Sequence, residues 1–123
     1  MIRRGGSVLA RRVVHVRGFW GRLAGLIGRP CPAPGECWAF APVRGVHTFF
    51  LAYPIAACLL DRDGRVLWVR DPMLPWRVSP VFGDAVWLLE AAPGRFCGLR
   101  PGDVLEIEGG VRGWFGRWPG RWW

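Results

Sequence analysis

Short apolar runs separated by glycine, proline and aspartate fill most of the chain, and several alternate with the two-residue period of a β-strand. Val8 to Arg17 sets Val14 and Val16 on one face and Val13, His15 and Arg17 on the other, as expected of a half-exposed first strand. The period then changes. Phe19, Trp20, Leu23, Leu26 and Ile27 fall on one helical stripe, with Arg22, Ala24 and Gly25 opposite, which predicts a short helix ending near Gly28, where Pro30 bars its continuation. Residues 30–36 read as a rigid proline-rich loop, and Cys37 to Pro42, Val46 to Leu51 and Ile55 to Leu60 as short apolar strands. Asp61-Arg62-Asp63-Gly64 lies between two apolar runs and ends in Asp-Gly, a strong hairpin signal. Pro72 to Pro80 reads as a loop that carries Trp76 and Arg77.

Farther along, Ala85 to Ala91 is apolar on both faces, the pattern of a central strand. Gly94 to Leu99 suits a single helical turn, and Pro101-Gly102 a type II turn, in which proline fixes one φ and glycine supplies the positive one. Asp103 to Glu108 alternates, with Leu105 and Ile107 inward and Glu106 and Glu108 outward. Gly109 to Trp123 has neither period and reads as a tail. The expected fold is mainly β: a small sandwich or barrel of about seven strands with one or two short helices.

Length sets the organisation: 123 residues suit one domain, expected at 8–108, with a basic N-terminal extension at 1–7 and an Arg/Trp/Gly-rich tail at 109–123. All 17 basic side chains are arginine, and lysine, asparagine and glutamine are missing, a profile expected from GC-rich codons. The net charge of +8 points at first to nucleic acid or an anionic membrane. Its placement changes that picture, because residues 1–29 carry seven arginines and no acid, whereas residues 30–108 carry seven arginines and nine acids. The body is nearly neutral and the basicity sits at the ends, so a nucleic-acid partner is not expected. Arg11 and Arg12 break the apolar stretch that a secretory signal needs. The longest uncharged stretch, Gly45 to Leu60, is 16 residues with a central proline, against about 20 for a membrane-spanning helix. A cytoplasmic protein with free thiols is expected, with peripheral membrane attachment as the variant of that reading.

Chemistry-bearing residues are sparse. Cys31 and Cys37 are spaced C-x5-C with no second pair to complete a metal site, so neither metal nor cofactor is expected. Nucleophilic catalysis needs a thiol or hydroxyl beside a base. Thr48 follows His47 and on a strand would face away from it, while a Cys58–His47 or Cys97–His47 pair has no support in the local sequence. His47 is the most informative single residue, an imidazole in an apolar stretch: either a structural histidine or part of a small pocket beside Arg44. Arg44, His47, Trp76 and Arg77 are therefore the candidate ligand-binding residues, with Trp38 and Trp68 as further aromatic anchors. Trp114, Arg117, Trp118, Arg121 and Trp122 are candidates for contact with a membrane or nucleic acid.

Several segments taken in order resemble a bacterial and archaeal family, the domain of unknown function numbered 192. They are Trp20 to Arg29, Val46-His47-Thr48-Phe49 with Tyr53-Pro54-Ile55, Leu60 to Val66, Trp87-Leu88-Leu89-Glu90, and Gly98 to Asp103. The resemblance spans about residues 8–108 and implies a small jelly-roll-like β fold with no agreed reaction. Where that family usually carries a methionine and a basic residue after the His-Thr-Phe segment, and an acid past the Pro-Ile, this chain has Leu51, Ala52 and Ala56. Val43 stands where a cysteine is often found. The function expected from all of this is a non-enzymatic β domain that binds a protein partner or small ligand through an aromatic surface. The alternatives are attachment to anionic membrane or nucleic acid through the two ends, and an enzyme using Cys/His chemistry.

Overall fold

The structure, a computed structural model of the chain, describes residues 1–16 and 26–107. Eight strands form: β1 (Ile2–Arg4), β2 (Ser7–Ala10), β3 (Arg12–Val16), β4 (Glu36–Phe40), β5 (Ile55–Asp61), β6 (Val66–Met73), β7 (Ala85–Ala91) and β8 (Glu106–Ile107). They make two sheets, a three-stranded one ordered β2-β1-β8 and a five-stranded one ordered β3-β4-β7-β5-β6. The larger sheet keeps two free ends, β3 and β6, and does not close into a barrel.

Alternation of apolar residues explains the layers. Cys37, Ala39, Ala56, Cys58, Leu60, Trp87, Leu89 and Ala91 leave one face of the larger sheet and meet Ile2, Ala10 and Ile107 of the smaller one, with Phe96, Leu99 and Leu105 packed into the same core. The opposite face carries Phe40, Ile55, Ala57, Leu59 and Leu88, and packs against Leu26, Val46 and Leu51. β5 and β7 are therefore buried on both sides, and β7 is the third of five strands, as its unbroken apolar run predicts. The hairpin forms where expected: Oδ1 of Asp61 accepts from the backbone N–H groups of Asp63 and Arg65, both at 2.9 Å. The Pro101-Gly102 turn also forms, with Asp103 N donating to Arg100 O at 3.1 Å and Gly102 at φ +97°.

Four expectations are corrected. The single strand over Val8–Arg17 divides into β2 and β3, which belong to different sheets. Residues 1–7, expected as an extension, supply β1 and the start of β2, because Ile2 is an apolar residue that fits between β2 and β8 and is fully buried there. Val46–Leu51 is not a strand; it makes one bridge, His47 to Val78, and then turns back. Among the described residues no helix forms. At 94–99 the chain takes successive tight turns instead, because Gly94 and Gly98 sit at φ +93° and +88°, outside helical space. The helix expected at 19–27 falls mostly outside the described residues, as do Glu108 and the tail at 109–123.

Asp71 holds those turns in place. Its two carboxylate oxygens accept from Gly94 N and Phe96 N, each at 2.8 Å, and so seat Phe96 in the core. Charge-assisted bonds of this kind contribute about 1.5–3 kcal/mol. Asp71→Ala is expected to lower unfolding stability by about 2 kcal/mol in urea titration, with Asp71→Glu no substitute, because the longer arm misplaces both oxygens.

Candidate functional site

The site begins with a turn. Thr48 is fully buried, and its hydroxyl donates to Leu74 O at 2.6 Å and accepts from Arg77 N at 2.9 Å. Its backbone adds two more bonds, Thr48 N to Arg77 O at 2.9 Å and Trp76 N to Thr48 O at 3.0 Å. One threonine thus pins the whole 74–77 loop onto the 46–51 segment. Leu51 N then donates back to Thr48 O, closing a four-residue turn that places Phe50 at φ +66°. Glycine is the usual occupant of that position. Trp76, on the pinned loop, also has a positive φ, +65°.

These two left-handed residues touch. Their rings meet edge to face at 4.8 Å, Phe49 lies 5.7 Å from Trp76, and His47 stacks on Phe49 at 5.2 Å. The result is an aromatic ridge on the surface, with Phe50 69% and Trp76 56% exposed. Val78, which forms the isolated bridge with His47, extends the apolar surface and is 62% exposed. Nδ1 of His47 accepts from Phe49 N at 3.3 Å, so this imidazole shapes the ridge instead of lining an enclosed pocket.

Beside the ridge lies an open groove of about 260 Å³, lined by Trp68, Arg70, Pro72 and Met73 of β6 and by Leu74, Arg77, Val78 and Pro80 of the pinned loop. Trp68 and Arg70 are two residues apart and share a face of β6, and a register shift opposite Ile55–Ala57 brings Met73 to the same side. The Arg70 guanidinium stands 5.9 Å from the Trp68 ring centroid.

The sequence candidates separate on this geometry. His47 and Trp76 join the ridge, and Arg77 reaches the groove. Arg44 does not line the groove with them; its carbonyl accepts from Phe82 N at 2.9 Å at the far end of the 44–48 and 77–82 ribbon. Arg44 and His47 therefore do not meet in this groove. Trp38 is half-buried against the second core cluster, stacked on Phe40 and under Arg29, away from this groove. Trp114, Arg117, Trp118, Arg121 and Trp122 lie outside the described residues. Sequence reasoning missed Arg70, Phe49, Phe50 and the role of Thr48. A threonine inside the uncharged stretch 45–60, followed by the proline-rich loop at 72–80, was the available signal for Thr48.

Two of the four thiols, Cys37 and Cys58, are poorly placed for nucleophilic work, while Cys31 and Cys97 are exposed. Cys37 and Cys58 are fully buried in the first core cluster, and burial pushes both thiols well above their ordinary range. No group of three or more His, Cys, Asp or Glu side chains that could hold a metal ion occurs among the described residues. Glu90 is the exception to an otherwise quiet interior. It is a carboxyl on β7 between Trp38 and Ala57, almost fully buried, and desolvation pushes its pKa up to about 8. Tyr53 is raised to about 12, first by burial and then by nearby Cys31 and Glu90, while its hydroxyl donates to Arg29 O at 3.0 Å.

Among the described residues no helix is long and apolar enough to cross a membrane. No family model and no curated protein matches the sequence. Two solved structures share the fold. One is a protein of unknown function from Novosphingobium aromaticivorans DSM 12444, with a TM-score of 0.66 and 20% identity over 80% of this chain and 75% of that one. The other is a "putative transcription regulator" from Sinorhizobium meliloti 1021, with a TM-score of 0.65 and 22% identity over 76% of this chain and 79% of that one. At such identities the likeness establishes a shared fold, a mainly β domain of two sheets.

Proposed function

We propose that the chain is a non-enzymatic binding domain that docks a partner protein through the ridge of His47, Phe49, Phe50 and Trp76. The observation that carries this reading is the pair of exposed aromatic residues held at positive φ, at +66° and +65°. A non-glycine residue there costs about 1–3 kcal/mol, and such strain persists where the surrounding structure over-determines it, often at sites of recognition. Large rings held in that conformation at the surface add little to the core, but they offer a pre-ordered apolar contact of the kind that dominates interfaces. Arg77, exposed beside Trp76, suits a partner surface that is apolar at its centre and acidic at its rim.

The ordered motifs over residues 8–108 support membership of the domain of unknown function 192 family, with the two sheets arranged as a jelly-roll-like sandwich. A cytoplasmic setting fits the unpaired cysteines. The test is affinity capture from a lysate of the native host with the wild-type chain and with a Phe50→Gly/Trp76→Gly double variant. A partner retained by the first and lost by the second, restored by neither single ring alone, is the expected result. An identical set of retained proteins overturns the docking role.

A further inference from the structure

We propose that the groove between Arg70 and Arg77, over Trp68, binds a small carboxylate carried on a flat apolar body, of which an arylacetate is the simplest case. This goes beyond the docking ridge and does not depend on it. Three observations point to that ligand class. The groove contains two arginines and no acidic side chain, and among the described residues neither arginine has an acidic partner. Nη1 of Arg77 makes only two long contacts, 3.4 Å each, to the Pro75 and Trp76 carbonyls. A carboxylate offers the guanidinium fork shorter, charge-assisted and bidentate bonds.

The remaining side chains are apolar: Trp68 supplies a ring for a flat body to pack on, and Pro72, Met73, Leu74, Val78 and Pro80 complete the walls. Size then narrows the class. A volume of about 260 Å³, below the roughly 300–1,000 Å³ typical of sites for drug-sized ligands, suits one ring with a short acidic arm. Thr48 fixes the width of the site, because its hydroxyl ties down both Leu74 and Arg77 on the outer wall.

A two-dimensional NMR titration of the 15N-labelled full chain tests this with phenylacetate, phenylacetamide and acetate. Phenylacetate is expected to give saturable shifts confined to Trp68–Met73 and the 74–80 loop. Phenylacetamide, which lacks the charge, and acetate, which lacks the ring, are each expected to bind at least tenfold more weakly. An Arg70→Ala/Arg77→Ala double variant, whose exposed side chains leave the core intact, is expected to lose at least tenfold in phenylacetate affinity. Equal binding of the amide or of acetate, unchanged affinity in the double variant, or shifts that never saturate would each overturn the site. Lysate capture through Phe50 and Trp76 would be untouched by that failure, so the two readings fail separately.

Discussion

Glu90→Gln is expected to stabilise the protein at pH 8 and to remove most of the pH dependence of its stability between pH 5 and 8. The folded chain holds the Glu90 proton up to about pH 8, because burial disfavours the charged carboxylate. An unfolded chain releases the same proton near pH 4. Between those limits folding takes up a proton, so each rise in pH costs stability; the penalty is absent below about pH 4 and complete above about pH 8. A displacement of this size corresponds to a penalty on the order of 5 kcal/mol, a large share of a typical domain's 5–15. Glutamine keeps the shape and removes the charge. Urea titrations at pH 5, 6.5 and 8 should show the wild type weakening steadily while the variant stays nearly level. Parallel slopes for the two proteins would mean that Glu90 ionises normally. Cys37 and Tyr53, both raised in part by Glu90, titrate above this window and do not confuse it.

Thr48→Val should cost about 2–4 kcal/mol although it preserves the shape of the side chain. The hydroxyl serves Leu74 O and Arg77 N at once, in a residue with no exposed surface. Valine leaves both backbone groups unpaired, at about 1–3 kcal/mol for each group that stays dry. The loss should be local as well as global. Hydrogen exchange at the Trp76 and Arg77 amides is expected to accelerate by at least tenfold more than exchange in β5 or β7, and phenylacetate affinity should fall with it. Thr48→Ser keeps the hydroxyl and should recover most of both effects. If serine proves no better than valine, the threonine acts through its methyl group and the loop is held by packing.

What the sequence made legible follows from where local rules act alone. The two-residue alternation in β4 to β7 and the Asp-Gly hairpin were readable because burial and turn chemistry agree there, residue by residue. The turn at 48–51 was not, because its left-handed position is filled by Phe50, and aromatic residues carry no local signal for positive φ. The 94–99 segment has the spacing of a helical turn, yet Asp71, 23 residues upstream of Gly94, decides its shape. Burial of Ile2 likewise depends on β8, its neighbour in the sheet but about a hundred residues away in sequence. Of the candidate site, His47, Trp76 and Arg77 were visible as unusual residues in apolar or proline-rich settings. Arg70 was hidden as one arginine in a strand, and only the fold of the 74–80 loop over β6 gives it a neighbour.

The central claim is that the aromatic ridge exists for contact with another molecule and not to hold the fold together. Urea unfolding of the Phe50→Gly/Trp76→Gly double variant, with Phe96→Ala as a core reference, tests it most directly. Glycine relieves the strain at both positions while removing rings that are mostly exposed, so the account predicts a net change within about 2 kcal/mol of wild type. Phe96, fully buried, should cost about 3–5 kcal/mol. A loss in the double variant as large as that of Phe96→Ala would show that the ridge is structural and contradict the account.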